Sequence, residues 1–370
     1  MASILVLGIG IIPSLGLSSQ NQSLSLEDAV KTARENNRQL KITRLETLKT
    51  HQKTEAFHTY RLPKVNFYAL GSYLLTPLDF HFEKGSLGTI PGVGPFPIQD
   101  TNITTPRQLN LGLAATVIQP LSQQYRLGLG EKVYQLDEKN AAAREVIAGQ
   151  DVETAVRKLY YGILLTESTL TSLQERRAYY QELYRFVKEN QAQRTVLDSD
   201  VLEVETALAS VDYDMTTTAS QQRIWKMQLW DLMGNSGEPE FQLIPLSAPS
   251  IPEIDPAKAQ ALAFQNRKEL TMAENRIKQA EMQTRILKSQ HYPDVSLTVG
   301  NVALGNIDVL PEYISTAGVM VTWDGLDWGR KSKEVREAGL TMEQAQTSLD
   351  NTRSTILREV DDALGKIRDA

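Results

Sequence analysis

The chain has 370 residues, of which 39 are basic and 45 acidic, so its formal net charge at pH 7 is -6. No Lys/Arg-rich run carries interleaved aromatic residues, and this pattern argues against a nucleic-acid partner. The sequence contains no cysteine, which excludes disulfides, thiol nucleophiles and most structural zinc sites.

Residues 1–19 are unlike the rest of the chain. Ile4 to Ile12 is a run of apolar residues and glycines, and Pro13 and the small-residue stretch 14–19 follow it. This pattern is typical of a secretory signal peptide, although no basic residue precedes the run; the alternative is a buried apolar N-terminus. No apolar run of about 18 residues occurs elsewhere, so a membrane crossing by this chain would need strands.

Residues 24–234 are predicted to begin with a helix that Ser25 and Asp28 cap and that runs to about Tyr60. Pro63 ends this helix, and an apolar and aromatic stretch at 65–75 predicts a strand. Residues 76–106 contain five prolines and four glycines and are predicted to form a long loop. Apolar residues then alternate with small or polar ones at 108–119, which predicts a second strand.

Two helices with seven-residue apolar spacing are predicted next, at 121–190 and 198–233. The spacing indicates an antiparallel coiled-coil hairpin whose turn lies near residues 194–200. The apolar positions that recur every seven residues form a seam along the first helix, and only Thr166 and Arg177 interrupt it. Its positions include Val152, Leu159, Leu173, Tyr180 and Val187 in one series, and Val156, Ile163, Leu170 and Tyr184 in the other.

The Pro-rich residues 235–255 are predicted to be a connector, after which the pattern begins again in residues 256–370. Six residues of the first copy recur 230 positions later, which indicates an internal repeat. Ala29, Ala33, Asn36, Leu40, Pro63 and Val65 recur as Ala259, Ala263, Asn266, Leu270, Pro293 and Val295. The second copy is predicted to contain a helix, strands at 294–302 and 313–323, and a partial helix at 328–370 that lacks a counterpart of the hairpin turn.

The four predicted strands are about ten residues long, which is the length that a tilted strand needs to cross a bilayer. One face of three strands is apolar and is predicted to meet lipid. That face comprises Leu109, Leu111, Leu113, Ala115, Val117, Val295, Leu297, Val299, Val319, Val321 and Trp323. Trp323 and Tyr73 are candidates for aromatic belts or for ordinary packing. Because four strands cannot close a barrel, three protomers with twelve strands are expected.

The chain resembles the TolC-like outer-membrane efflux protein family. The resemblance rests on the repeat, on Leu62-Pro63 and Tyr292-Pro293 before the strands, on the segment Leu326 to Arg330, and on the hairpin turn. It implies a mainly α fold with membrane β: long antiparallel coiled-coil hairpins plus four strands per protomer, closing a 12-stranded barrel and an α-helical tunnel as a trimer. It further implies a passive duct of a tripartite efflux or type I secretion system in the bacterial outer membrane, with a periplasmic extension.

The resemblance also implies partners, namely a homotrimer, a periplasmic adaptor (membrane fusion) protein, an inner-membrane pump and outer-membrane lipid. The adaptor would meet the hairpin tip, where Arg194 stands at a position at which the family usually has a glycine. The tip comprises Arg194, Thr195, Val196, Leu197, Asp198, Ser199, Asp200, Val201 and Leu202.

Other functions find little support in the residues. The stretch Gly128 to Lys132 lacks the full glycine spacing and the Lys-Ser/Thr pair of a phosphate loop. His51 and His58 are two helical turns apart, too far to share a metal, and no nucleophile, base or cofactor motif is found. The chain is therefore predicted not to be an enzyme and to bind no cofactor. The alternative to a duct is a non-conducting coiled-coil tether of the periplasm.

Overall fold

The structure, a computed structural model, describes residues 22–105, 109–246, 254–305 and 311–369. The predicted signal peptide, residues 1–19, lies outside these ranges. In chain order the first half contains β1 (Gln22–Leu24), α1 (Leu26–Asn36), α2 (Arg38–His58), β2 (Lys64–Tyr73), β3 (Leu78–Phe82), β4 (Thr89–Ile90), β5 (Gly94–Pro95), β6 (Thr101–Thr105), β7 (Leu109–Pro120) and α3 (Gln124–Ala192). The second half contains α4 (Asp198–Leu232), β8 (Phe241–Leu243), α5 (Pro256–Asn266), α6 (Lys268–Ser289), β9 (Asp294–Gly305), β10 (Tyr313–Thr322) and α7 (Arg330–Asp369).

The chain folds into two compact units that do not coincide with the two sequence repeats. One unit contains the described residues up to Glu46 together with those of Arg144–Ile254, and the other contains Thr47–Ala143 and the described residues from Asp255 onward. The repeats are divided in this way because β7 of the first copy pairs with β9 of the second, which places strands of both copies in one sheet.

The second unit contains an antiparallel four-stranded sheet with the order β10-β9-β7-β2. Val117 lies opposite Val65 on one side and opposite Val299 on the other, which fixes the register of the three strands. The strands extend over 10 to 12 residues. The predicted combination of long helices with four strands is therefore present.

Residues 76–106, predicted as a loop, contain four short strands. β3 pairs with β6 and β4 pairs with β5, both in antiparallel fashion. The sequence LDFHF of β3 does alternate apolar and polar residues, but the surrounding prolines and glycines outweigh that signal in the sequence. This segment thus contains two nested hairpins, because the β4-β5 pair lies between β3 and β6 in the sequence.

The single helix predicted from Ser25 to Tyr60 is two helices, because Asn37 ends the first and caps the second. Asn37 is buried, and its Oδ1 accepts from the backbone N–H of Leu40 at 2.9 Å. Its Nδ2 donates to the carbonyl oxygen of Leu232 at 2.9 Å. The second copy breaks at the equivalent place, between α5 and α6 at Arg267.

In the first unit, the seven-residue seam of α3 packs against α4, α1 and β8. Val156, Tyr160, Ile163 and Leu229 are fully buried in this cluster. The Tyr160 hydroxyl lies 2.9 Å from the carbonyl oxygen of Leu24 and 2.8 Å from that of Ile244, so it contacts both chains of the parallel pair β1-β8 at their C-terminal end. Burial raises the pKa of Tyr160 above its ordinary value.

Both polar interruptions of the seam have partners in the first unit. Thr166 is buried and donates its hydroxyl to the carbonyl oxygen of Ile163 at 2.7 Å. Arg177 forms an ion pair with Asp212 on the returning helix. Each interruption is therefore compatible with the packed seam.

In the second unit, α6 and α7 form a smaller core with Leu270, Ala273, Leu349 and Ile356. On α3, Gly130 lies directly beneath the ring of Phe57: a Cβ at this glycine would stand 2.6 Å from Cζ of the ring. The Phe57 ring stacks on Tyr134 with a centroid distance of 4.6 Å. The absence of a side chain at position 130 thus permits close packing of an aromatic residue against α3.

Candidate functional site

The strand residues predicted to meet lipid all lie on one face of the sheet. Leu297 lies opposite Val319, and Val295 opposite Val321. Large apolar side chains of this face are exposed, with Leu113 at 60% and Val319 at 63%. Trp323 directly follows β10 in the same alternation; it is 62% exposed, and its Nε1 donates to the carbonyl oxygen of His291 at 3.2 Å.

The edge strand β2 adds residues to this face that the sequence did not assign. Val65, Phe67 and Tyr73 lie opposite Val117, Ala115 and Leu109 and are exposed. The alternation in β2 is obscured in the sequence because Tyr68 and Leu70, on the other face, are also large and apolar. Knowledge of the pairing register is needed to separate the two faces of this strand.

The opposite face carries more small and polar residues, and one polar pair interrupts the apolar face. Gly112, Thr116, Ser296 and Thr298 belong to the opposite face by register. On the apolar face, Asn301 and Ser315 lie opposite each other, and Asn301 Nδ2 donates to Ser315 Oγ at 2.8 Å. These two side chains therefore share one hydrogen bond within the apolar face. Among the described residues, β2 and β10 each pair on one side only and are the edges of the sheet.

The predicted tip comprises residues 194–197, which lie between α3 and α4, and residues 198–202, which are the first five residues of α4. Val201 is 4% exposed and packs inside the hairpin, whereas Leu197 and Leu202 are 70% and 63% exposed. Asp200 accepts from the backbone N–H of Leu197 at 3.2 Å and so stabilises the start of α4. Of the nine tip residues, Val201 is thus placed for packing, while the two leucines are accessible.

Arg194, the tip residue at whose position the resemblance predicts a glycine, has a φ of +63°. This is the left-handed conformation that glycine adopts without a steric penalty. Its backbone N–H donates to the carbonyl oxygen of Gln191 at 2.9 Å. The turn therefore keeps a glycine-type backbone although the side chain is arginine.

The segment Leu326 to Arg330 connects the sheet to α7. The Asp327 carboxylate accepts from the backbone N–H of Gly329 at 3.1 Å and of Lys331 at 2.9 Å. The bond from the Lys331 N–H contributes most to lowering the pKa of Asp327 below its ordinary value. Trp328, at φ +55°, is 91% exposed beside it.

The described residues contain no cluster of three or more His, Asp or Glu side chains suited to a metal ion. None of the helices in the described part of the chain is both long and apolar enough for a membrane span. Residues 128–132, rejected above as a phosphate loop, lie within α3.

Solved structures of membrane proteins share this fold. CusC is 16% identical, with a TM-score of 0.72, over 92% of this chain and 75% of that chain. VceC of Vibrio cholerae is 14% identical, with a TM-score of 0.71, over 93% of this chain and 79% of its own. CmeC of Campylobacter jejuni, an outer membrane channel, is 14% identical, with a TM-score of 0.71, over 98% and 80%.

The sequence itself carries a matching signature. The family model described as outer membrane efflux protein matches residues 260–370. Among curated proteins, none matches the sequence. The resemblance to the outer-membrane efflux protein family is thus confirmed, by the family model over α6, β9, β10 and α7, and by the fold over more than nine-tenths of the chain.

Proposed function

We propose that this chain is one protomer of a passive efflux duct in the bacterial outer membrane. The observation that carries the proposal is the predominantly apolar face shared by the paired strands of the sheet, which the Asn301–Ser315 pair interrupts. Those strands have the length that a tilted strand needs to cross a bilayer. A wall with lipid on one side and water on the other requires this division of apolar and polar faces.

The sheet edges support a trimer. An open edge within hydrocarbon would leave backbone N–H and C=O groups unsatisfied, at a cost of several kcal/mol for each group. Pairing of β2 of one protomer with β10 of the next would remove every edge and give a barrel of twelve strands. The helical hairpins would continue this wall into the periplasm, and the exposed Leu197 and Leu202 would contact an adaptor that connects the duct to an inner-membrane pump. The duct itself would catalyse no reaction.

The proposal is tested with the full chain, extracted from membranes in detergent. We expect a trimer by light scattering and discrete single-channel conductance in planar bilayers. Opening at the helical end should raise the conductance, so the measurement is repeated with the exposed tip residue Asp198 changed to alanine. A monomer that stays soluble without detergent would instead support the tether, and a folded trimer that conducts in neither form would overturn the duct.

A further inference from the structure

A cavity of about 370 Å³ lies where the sheet meets the helices of the second unit. We call it the junction cavity; its lining includes Arg126, Asp294, Trp323, Asp324, Arg330 and Lys331. Its volume is within the range of about 300–1,000 Å³ that small-ligand sites occupy. Trp323 directly follows the last residue of β10 and continues the apolar face, whereas Asp294 belongs to the opposite face, so the cavity lies at the end of the sheet and borders both faces.

Lys331 is the unusual residue of this cavity. It is only 7% exposed, and its Nζ donates to the backbone carbonyl oxygen of Asp324 at 2.7 Å. An ammonium group has three N–H donors, and among the described residues no carboxylate forms an ion pair with this one. Asp327 interacts electrostatically with Lys331 without forming an ion pair, and its two carboxylate oxygens accept from backbone N–H groups at the start of α7. A buried ammonium group with spare donors favours an anionic ligand.

The cavity also presents charges of both signs. Arg126 donates to Asp294 at 2.9 Å through Nη2, which leaves further guanidinium N–H donors. The backbone carbonyl oxygen of Asp324 accepts from Lys331, and Asp324 is exposed at the cavity lining. Cations alone would suit any phosphate, but cations next to carboxylates suit a ligand that carries both a phosphate and an amine.

We propose that the junction cavity binds the headgroup of a zwitterionic phospholipid with a primary amine, of the phosphatidylethanolamine type. Lys331 and Arg126 bind the phosphate, Asp324 accepts from the ammonium group, and the acyl chains lie along Trp323 and the apolar face. The inference rests on the proposed function, since it requires the sheet to stand in a bilayer. The adjoining apolar face favours a lipid over a soluble phosphate ester.

The test measures lipids retained by the delipidated full chain, by native mass spectrometry. Phosphatidylethanolamine, phosphatidylcholine and phosphatidylglycerol with identical acyl chains are supplied in equal amounts. We expect the ethanolamine lipid to be retained about fivefold better than either other lipid, because choline has no N–H donor and glycerol has no charge for Asp324. Equal retention of the three lipids would overturn the proposal, and so would displacement by free phosphoethanolamine at the concentration at which the lipid binds.

Two variants and one control assign the effect to the cavity. Lys331→Met should lower the retention of all three lipids about equally, because each carries the phosphate, whereas Lys333→Met, at an exposed lysine on the same helix, should leave retention unchanged. If Lys331→Met does not fold, Asp324→Asn carries the test and should lower the preference for the ethanolamine lipid over the glycerol lipid. Unchanged retention in Lys331→Met, or an unchanged preference in Asp324→Asn, refutes the site. Conductance is recorded on the same preparations: conduction without lipid preference overturns this inference alone, and lipid preference without conduction overturns the duct alone.

Discussion

Arg61 Nη1 lies 3.0 Å from Glu131 Oε2 and so connects the residues that follow α2 to α3. The other carboxylate oxygen, Oε1, lies 3.2 Å from Nδ1 of His58. One heptad further along, His51 Nδ1 lies 3.0 Å from Glu138 Oε1. The two histidines that the sequence placed too far apart for a common metal thus each face a glutamate of α3.

The Arg61 contact predicts a pH-dependent contribution to stability. Hydrogen bonding to Arg61 holds the pKa of Glu131 below its ordinary value of 4.5. The folded state therefore releases this proton more readily than the unfolded state. Its contribution is fully present above the ordinary value and is lost as the pH falls through the lowered value. Glu131→Gln should cost about 1–2 kcal/mol at pH 7 and much less near pH 3, measured by urea denaturation.

Glu138→Gln is the matched control for this change, because His51 is the partner recorded for Glu138. It should cost less than Glu131→Gln at pH 7. Equal costs for Glu131→Gln at both pH values would contradict the assigned cause.

The backbone at Arg194 predicts a substitution that stabilises the hairpin. Because arginine in the left-handed region has a steric penalty that glycine lacks, Arg194→Gly should raise the free energy of unfolding by about 1 kcal/mol. Arg185→Gly, in the regular part of α3, should lower it by about the same amount. Thermal denaturation followed by circular dichroism distinguishes the two, and a loss of stability in both variants would show that the turn does not require this conformation.

The aromatic contact at Gly130 predicts opposite effects of alanine at two neighbouring glycines of α3. In Gly128→Ala the added carbon would contact no neighbouring group within 4 Å outside its own helix backbone. This substitution should therefore stabilise the fold by about 0.5–1 kcal/mol through helix propensity. Gly130→Ala must displace the ring of Phe57 and should destabilise by about 1–2 kcal/mol. Denaturation midpoints of the two variants provide the measurement. If both variants gain stability, Phe57 does not pack on this glycine.

The two faces of the sheet predict unequal tolerance of charge. Leu113→Arg places a guanidinium on the proposed lipid face and should destabilise the inserted protein by about 2–4 kcal/mol near the bilayer midplane. Leu70→Arg introduces the same residue on the opposite face, where water should solvate it. The yield of folded trimer in the outer-membrane fraction should fall for the first variant only. Equal yields would remove the support for a lipid-facing side.

Periodic features of this fold could be predicted from the sequence, and contact-dependent features could not. The seam through Val156 and Ile163 and the alternation in β7 repeat over many residues, so local pattern suffices. The helix break at Asn37 depends on a carbonyl group 195 residues away, at Leu232. The role of Gly130 depends on Phe57, and the burial of Lys331 depends on the chain's return from β10. None of these contacts leaves a periodic signal.

The parallel pair of β1 and β8 has a consequence for how the first unit forms during synthesis. Leu24 lies opposite Leu243, so the N-terminal strand finds its partner only after more than two hundred further residues have been made. At 5–20 residues per second, this delay lasts roughly 10–40 s. Throughout that interval, the buried face of α1, with Ala29 and Ala33, has no complete core to enter. The earliest helix of this unit is therefore among the last to acquire its native contacts, and the nascent chain must stay free of aggregation in the meantime.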